Sequence, residues 1–194
     1  MSGEERDIYW RPWKDPGLEH LHLKLAPEGA RALGLILRKQ EQAHLRCRYE
    51  LEADTAWRTL RLSFAMTAST GEPARLLLEA GGDGSWLVDG KQSPELDGCI
   101  DVDIQVTPFT NTLPIRRLGL ARGESAEIRV AYVSLPNLAV RAVAQRYTCL
   151  QPAGTSAGRY RYEGLFRNFT ADLPVDADGL VIDYRDTFTR VWPR

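Results

Sequence analysis

The chain has 194 residues, 43% of them hydrophobic and 26% charged, a balance that suits a folded globular protein and excludes a disordered one. A formal net charge of −1 and a pI near 6.3 leave no global field drawing it to nucleic acid or an anionic membrane. No apolar run approaches the roughly 18–20 residues needed to span a bilayer, so no transmembrane segment is expected.

The N-terminus, MSGEERDIYW, lacks the basic region and apolar stretch of an export signal, and the expectation is a cytoplasmic protein. Period-two alternation then dominates. In LEHLHLKL, Leu18, Leu21, Leu23 and Leu25 set an apolar face, with His20, His22 and Lys24 opposite the last three. In HLRCRYEL, Leu45, Cys47, Tyr49 and Leu51 alternate with His44, Arg46, Arg48 and Glu50. WRTLRLSFAM repeats the habit less regularly with Leu60, Leu62, Phe64 and Met66. PARLLLEA and SWLVDG follow, joined by a GGDG at 81–84 that reads as a hairpin turn, since no helical pattern follows it to make a phosphate cradle.

IDVDIQV places Ile100, Val102, Ile104 and Val106 on one face and Asp101, Asp103 and Gln105 on the other. TPFTNTLP, at 107–114, is the best short-helix candidate: Thr107 is placed to cap it and Pro108 to begin it, while Pro114 stops it early and biases Leu113 toward extended geometry. ESAEIRVAYVSL, GRYRYEGL and GLVIDY are further strands. NLAVRAVAQRYTCL is Ala-rich enough for a helix, but its Val, Tyr and Thr content favours a strand. Turn signals at about 8–12-residue spacing argue for an all-β system of a dozen or more short strands in one domain, residues 1–194.

The chemistry is sparse. Two carboxylates at i and i+2 on one strand lie roughly 6–7 Å apart, a spacing open to a solvated or salt-bridged face, to ligand hydrogen bonding, or to acid–base catalysis. Arg116 and Arg117 follow closely enough to neutralise them. Thr107, Thr110, Asn111 and Thr112 either tie down the local backbone or orient a ligand. His20 and His22 share a face, but no acidic or thiol ligand follows at metal-site spacing, so neither a metal nor another cofactor is expected. Cys47, Cys99 and Cys149 sit about fifty residues apart, which gives no disulfide framework. Nothing resembles a nucleophile elbow, a zinc-protease helix, a P-loop or a dinucleotide fingerprint. The tryptophans are scattered; packing is their default role, lining a lipid or sugar site the alternative.

The stretch GCIDVDIQVTPFTNTLPIRRL, at 98–118, resembles the pattern of a bacterial family formerly of unknown function and labelled as glycolipid-binding. Trp10 with Gly17-x-Glu19, Trp57 after a Tyr-x-Leu strand, Gln145-x-Tyr147 and VDADGLVIDY at 175–184 extend the resemblance over about residues 9–184; Arg185 stands where proline is usual. The resemblance implies a long, strongly bent antiparallel sheet, a half-barrel curled around a short helical insertion, similar to the carriers that shuttle lipoproteins across the bacterial periplasm. It brings no catalytic set. The expectation is therefore an all-β half-barrel that binds a glycolipid or other amphipathic ligand in its concave face without chemistry. Asp101, Asp103, Asn111, Thr112, Arg116 and Arg117 would meet the head group, with Trp10 and Glu19 as further binding residues. Two alternatives stand beside it: a small enzyme acting on a sugar or lipid ester with Asp101 or Asp103 as acid or base, and a scaffold whose sheet edges pair with a partner.

Overall fold

The computed structural model describes residues 4–40, 42–69, 71–81 and 84–193. An antiparallel meander opens the chain: β1 (Glu4–Pro12), β2 (Gly17–Ala26), β3 (Gly29–Gln40), β4 (Ala43–Ala53), β5 (Thr59–Ala68), β6 (Ala74–Ala80), β7 (Trp86–Val88) and β8 (Lys91–Gln92). Each pairs with the next. Of the GGDG turn expected between β6 and β7, Gly82 and Asp83 lie outside the described residues. β9 (Asp101–Ile104) leads into a 3-10 turn, Phe109–Asn111, that runs on into α1 (Thr112–Leu118). Next come β10 (Ser125–Ser134), β11 (Ala139–Gln151), β12 (Gly158–Gly164) and β13 (Phe169–Val175). Finally β14 (Asp183–Tyr184) and β15 (Phe188–Trp192) return to β1, completing a ten-stranded sheet in the order β14-β15-β1-β2-β3-β4-β5-β6-β7-β8. A five-stranded sheet, β13-β12-β11-β10-β9, completes a mainly β fold that does not close into a barrel.

One pair breaks the antiparallel habit. β9 runs parallel to β10, with Asp101 opposite Val130 and Asp103 opposite Tyr132. Parallel neighbours need a crossover of a dozen or more residues, and the helical segment is that crossover. Its position is thus set by topology before any side chain is considered. Thr107 ties down its start as expected, accepting the Phe109 N–H at 3.0 Å on Oγ1. The helix then runs further than the two prolines suggest. Pro114 is the third residue of α1, within the first turn, where a missing N–H removes little, and Leu113 is helical rather than extended. Gly119, at φ 55°, ends it in the left-handed conformation.

The expected apolar faces of β4 and β5 are buried from Leu45 to Leu51 and from Leu62 to Met66. Leu60 of β5 and Ile100, just before β9, both expected inward, are instead exposed. Two further strands depart from expectation. On β2 it is Glu19 that turns inward with Leu21 and Leu23, while Leu18 is 41% exposed beside His20 and His22. On β3, which simple alternation did not reveal, the inner face is Ala30, Ala32, Gly34 and Ile36, and the outer face carries Leu33, Leu35 and Leu37. Small residues are needed inside because Tyr49, opposite Gly34, lays its ring across the glycine and stacks near Phe109 of the helical segment. NLAVRAVAQRYTCL is a strand, β11.

The two sheets meet along narrow seams. At one, the Thr59 N–H donates to the Ile100 carbonyl (3.3 Å) and the Val102 N–H donates to Thr59 Oγ1 (3.2 Å). At the other, Val175 bridges Val181 and the Ile182 N–H donates to the Pro174 carbonyl (2.8 Å). The three cysteines are buried and free. No helix of the described residues is long and apolar enough to cross a membrane.

A Cβ added at Gly34 would stand 1.9 Å from the Tyr49 ring. Gly34→Ala should therefore destabilise the protein by about 1–3 kcal/mol or more, seen as a lowered denaturant midpoint with unchanged slope. An unchanged midpoint would mean that the ring is free to move aside.

Candidate functional site

The acidic face of β9 turns not to solvent but to the helical segment and β11. Asp101 is fully buried and takes a bidentate pair from Arg117, with Nε at 3.0 Å and Nη2 at 2.6 Å. Asp103 accepts from Gln145 Nε2 at 2.6 Å and from Thr110 Oγ1 at 3.1 Å. Burial raises both carboxyls above the ordinary aspartate range, opposed by Arg117 for Asp101 and by Gln145, Arg167 and Thr110 for Asp103. Asn111 donates to the Pro108 carbonyl and accepts from the Tyr147 hydroxyl at 2.8 Å; Thr112 donates to the Gly179 carbonyl at 3.1 Å.

Glu19 lies at the start of the segment. Its Oε1 accepts from the hydroxyls of Tyr49 and Thr107, each at 2.7 Å, while Oε2 is buried without a partner. Trp10 stands across from Glu19 on β1, but its polar atom turns elsewhere: the indole N–H donates to the Val181 carbonyl at 2.7 Å, and the Arg190 guanidinium lies 5.8 Å from its ring centre. Of the eight residues expected to form one site, the structure brings Asp101, Asp103, Asn111, Thr112 and Arg117 to the inner side of the helical segment, each with a protein partner. Glu19 meets the start of the segment through Thr107, with Trp10 beside it on the neighbouring strand. Arg116, one turn beyond Thr112 and beside the same loop, is the one that reaches the surface.

Two concavities flank the segment. The inner one is a crevice of about 90 Å³ bordered by Asp103, Asn111, Tyr132, Tyr162, Arg167 and Tyr184. Arg167 contributes an N–H to the Tyr162 hydroxyl at 3.4 Å and sits 4.9 Å from the Phe169 ring centre. A space of that size holds a few waters or a small polar group. The outer one is a mouth of about 570 Å³ at the C-terminal end of α1, lined by Trp57, Ile115, Arg116, Leu120, Tyr160 and Asp178 among others. There the Arg116 guanidinium lies 4.5 Å from the Trp57 ring centre and donates to the Asp178 carbonyl at 2.9 Å. Trp57 holds this place at φ 63°, a backbone conformation that bulky residues rarely adopt.

Sequence reasoning missed Arg167, Tyr132, Tyr184 and Asp178 as neighbours of these spaces. Tyr160 and Tyr162 were legible as one face of GRYRYEGL, but nothing local says which sheet that face meets. Arg167 sits in the β12–β13 turn, where no periodicity operates. Among the described residues, no group of three or more His, Cys, Asp or Glu is placed to hold a metal ion.

Fold and site together define a class of protein: an open, mainly β shell plugged by one short helix, with small polar concavities at either side of the plug. The model of the family described as "Putative glycolipid-binding" matches residues 7–190, and the chain belongs to that family. A crystal structure of a DUF1089 family protein from Pseudomonas aeruginosa is similar at 39% identity and a TM-score of 0.80, covering 92% of this chain and 95% of that one. A β-barrel-like protein of the DUF1849 type from Brucella abortus shares the fold at 10% identity and a TM-score of 0.56, covering 98% and 95%. No curated protein matches the chain.

The isolated Glu19 gives a pH dependence with a definite sign. Burial lifts its carboxyl from an ordinary 4.5 to about 7, against the hydrogen bonds from Thr107 and Tyr49. The folded state then holds the proton more tightly than the unfolded state, so stability is greatest below the unfolded value and is lost as pH rises through this interval. The loss should approach roughly 3 kcal/mol, at about 1.4 kcal/mol per pH unit. Glu19→Gln keeps an acceptor for both hydroxyls and has no proton to lose. Urea unfolding near pH 5 and near pH 8 should show a much shallower decline in the variant; parallel declines would assign the wild-type slope to other groups.

Proposed function

We propose that the protein binds the polar head of a glycolipid or other amphipathic ligand at the mouth formed by Trp57, Arg116, Tyr160 and Asp178. One observation carries this reading: the mouth joins a ligand-sized volume to an amphipathic lining of aromatic and aliphatic carbon, one guanidinium and one carboxylate. The strained Trp57 is a second support, because backbone strain collects where a side chain must be held for use. The family's description agrees with this ligand class. The interior is filled by Trp10, Phe109 and Leu113, all fully buried, so the reading gives the protein the head group and leaves the acyl chain outside the packed core.

A second reading has one observation in its favour. Asp103, its carboxyl raised by burial, borders a crevice with Tyr132, Tyr162 and Arg167, the kind of environment in which an acid or base is tuned. The crevice is small and Asp103 is already held by Gln145 and Thr110, which favours the binding reading over catalysis on a sugar or lipid ester.

A fluorescent-lipid titration across neutral, anionic and glycosylated head groups tests the proposal. Arg116→Ala should weaken binding about tenfold or more, the worth of a hydrogen bond to a charged donor. Its melting temperature should fall only slightly, because Arg116 is a third exposed and its ion pair with Asp178 spans 3.8 Å. Trp57→Phe should abolish any ligand-dependent change in tryptophan emission. Absence of saturable uptake by the wild type, or equal uptake by wild type and Arg116→Ala, would overturn the proposal.

A further inference from the structure

The outer face of the ten-stranded sheet has an unusual composition at its centre. Leu33, Leu35 and Leu37 stand at successive outward positions of β3, 40%, 45% and 50% exposed, and Leu18 lies directly across from Leu37 on β2. Single exposed leucines are ordinary; four neighbours, three on one central strand and one on the next, form a patch. Nothing within the described residues lies over it.

The charges around this stripe are unevenly distributed. Toward Ala30 and along the β2 side, cations are matched: Lys24 meets Glu5, Arg31 meets Glu50, and His22 and His20, across from Leu33 and Leu35, both reach Asp7. At the Leu37 end they are not. Arg46 stands opposite Leu37, Arg48 opposite Leu35, and Lys39 opposite His44; all four of these basic groups are exposed, and among the described residues none has an ion-pair partner. Among the described residues, the neighbouring acid is Asp15, which is directed to Arg38. The leucine stripe therefore ends in a local basic cluster, although the chain as a whole is near neutral.

Leucines rimmed by unpaired arginine and lysine complement a surface with an apolar interior beneath a layer of fixed negative charge. A second copy of the chain fits less well, because, of the acids described near the stripe on its own face, Glu5, Asp7 and Glu50 are already engaged, which leaves Glu52 alone to meet three basic side chains. The geometry points to this face as a docking surface for an anionic lipid bilayer, with Leu18, Leu35 and Leu37 meeting the interfacial region and Lys39, Arg46 and Arg48 meeting lipid phosphates. This is independent of head-group binding at the mouth, since it uses none of the mouth's residues.

Co-sedimentation with vesicles decides it. The probes are pure phosphatidylcholine vesicles and phosphatidylcholine vesicles carrying phosphatidylglycerol. The wild type should pellet with the anionic vesicles alone and be released as salt shortens the screening length. Arg46→Glu with Arg48→Glu should reduce partitioning by more than tenfold, since each basic residue near such a surface contributes a factor on the order of five. Leu35→Glu with Leu37→Glu should abolish it while leaving lipid uptake at the mouth unchanged. All four positions are exposed; should the leucine pair fail to fold, the arginine pair and the salt response of the wild type decide. Wild-type protein that stays in solution, pellets equally with both vesicles, or pellets undiminished after the arginine reversal overturns the inference. So does a wild-type dimer in sedimentation equilibrium that the leucine variant converts to monomer, because the occupant is then a second copy.

Discussion

A helix that crosses the inside of a β shell must have every polar side chain it carries satisfied by the shell, because water is not there to do it. The segment from Thr107 to Arg117 carries six such side chains, and five of them turn inward to fixed partners: Glu19, Asp103, Tyr147, the Gly179 carbonyl and Asp101. These partners belong to β2, β9, β11 and the loop before β14, so one short segment is fastened to both sheets. Leaving a single buried group unpaired would cost about 1–3 kcal/mol, and more for a charged one. The same constraint explains why Asp101 and Arg117 occur together: a fully buried carboxylate is tolerable only beside a fork of donors that matches it.

That constraint also shapes what is left for a ligand. Polar groups that a reader of the sequence would assign to a binding face are consumed in holding the crossover, and only the side of α1 that bears Arg116 looks outward. Sequence proximity misleads here in a simple way. Arg116 and Arg117 are adjacent, but successive helical residues point about a hundred degrees apart, so one enters the interior and the other leaves it.

Much of the fold was legible because alternation and burial agree on most strands. β4 and β11 are clear cases, the latter because β-branched and aromatic residues outweighed its alanines. β3 was not legible, and its reason is physical: the rule that large apolar residues face inward fails where a tyrosine ring needs the room, so GARALGLILRKQ shows alanine and glycine inside and leucine outside. Leu18 and Glu19 mislead for a related reason, since the inward glutamate is stabilised by hydroxyls distant in sequence, on Tyr49 and Thr107. The motif at 98–118 forms β9 and the helical segment. It did not reveal Tyr132, Tyr162 and Arg167 around Asp103, because their convergence depends on the register of three strands and one irregular turn rather than on any local spacing.

The Thr59 seam has a consequence for how the shell can deform. Within either sheet, adjacent strands are joined by continuous ladders, and sliding one past another would break many rungs together. Between β5 and β9 the junction consists of one backbone bond and one bond to a threonine hydroxyl. The opposite junction is firmer: beside the Val175–Val181 bridge it has further backbone bonds and the ion pairs of Arg6 and Arg190 with Asp176. Mechanically the molecule is two stiff plates riveted by a transverse pin, the helical segment, clamped along one rim and merely tacked along the other. Bending is then concentrated at the Thr59 rim, where few bonds resist it, while the pin keeps the plates from separating. Such a body can change the width of its openings without unfolding any strand.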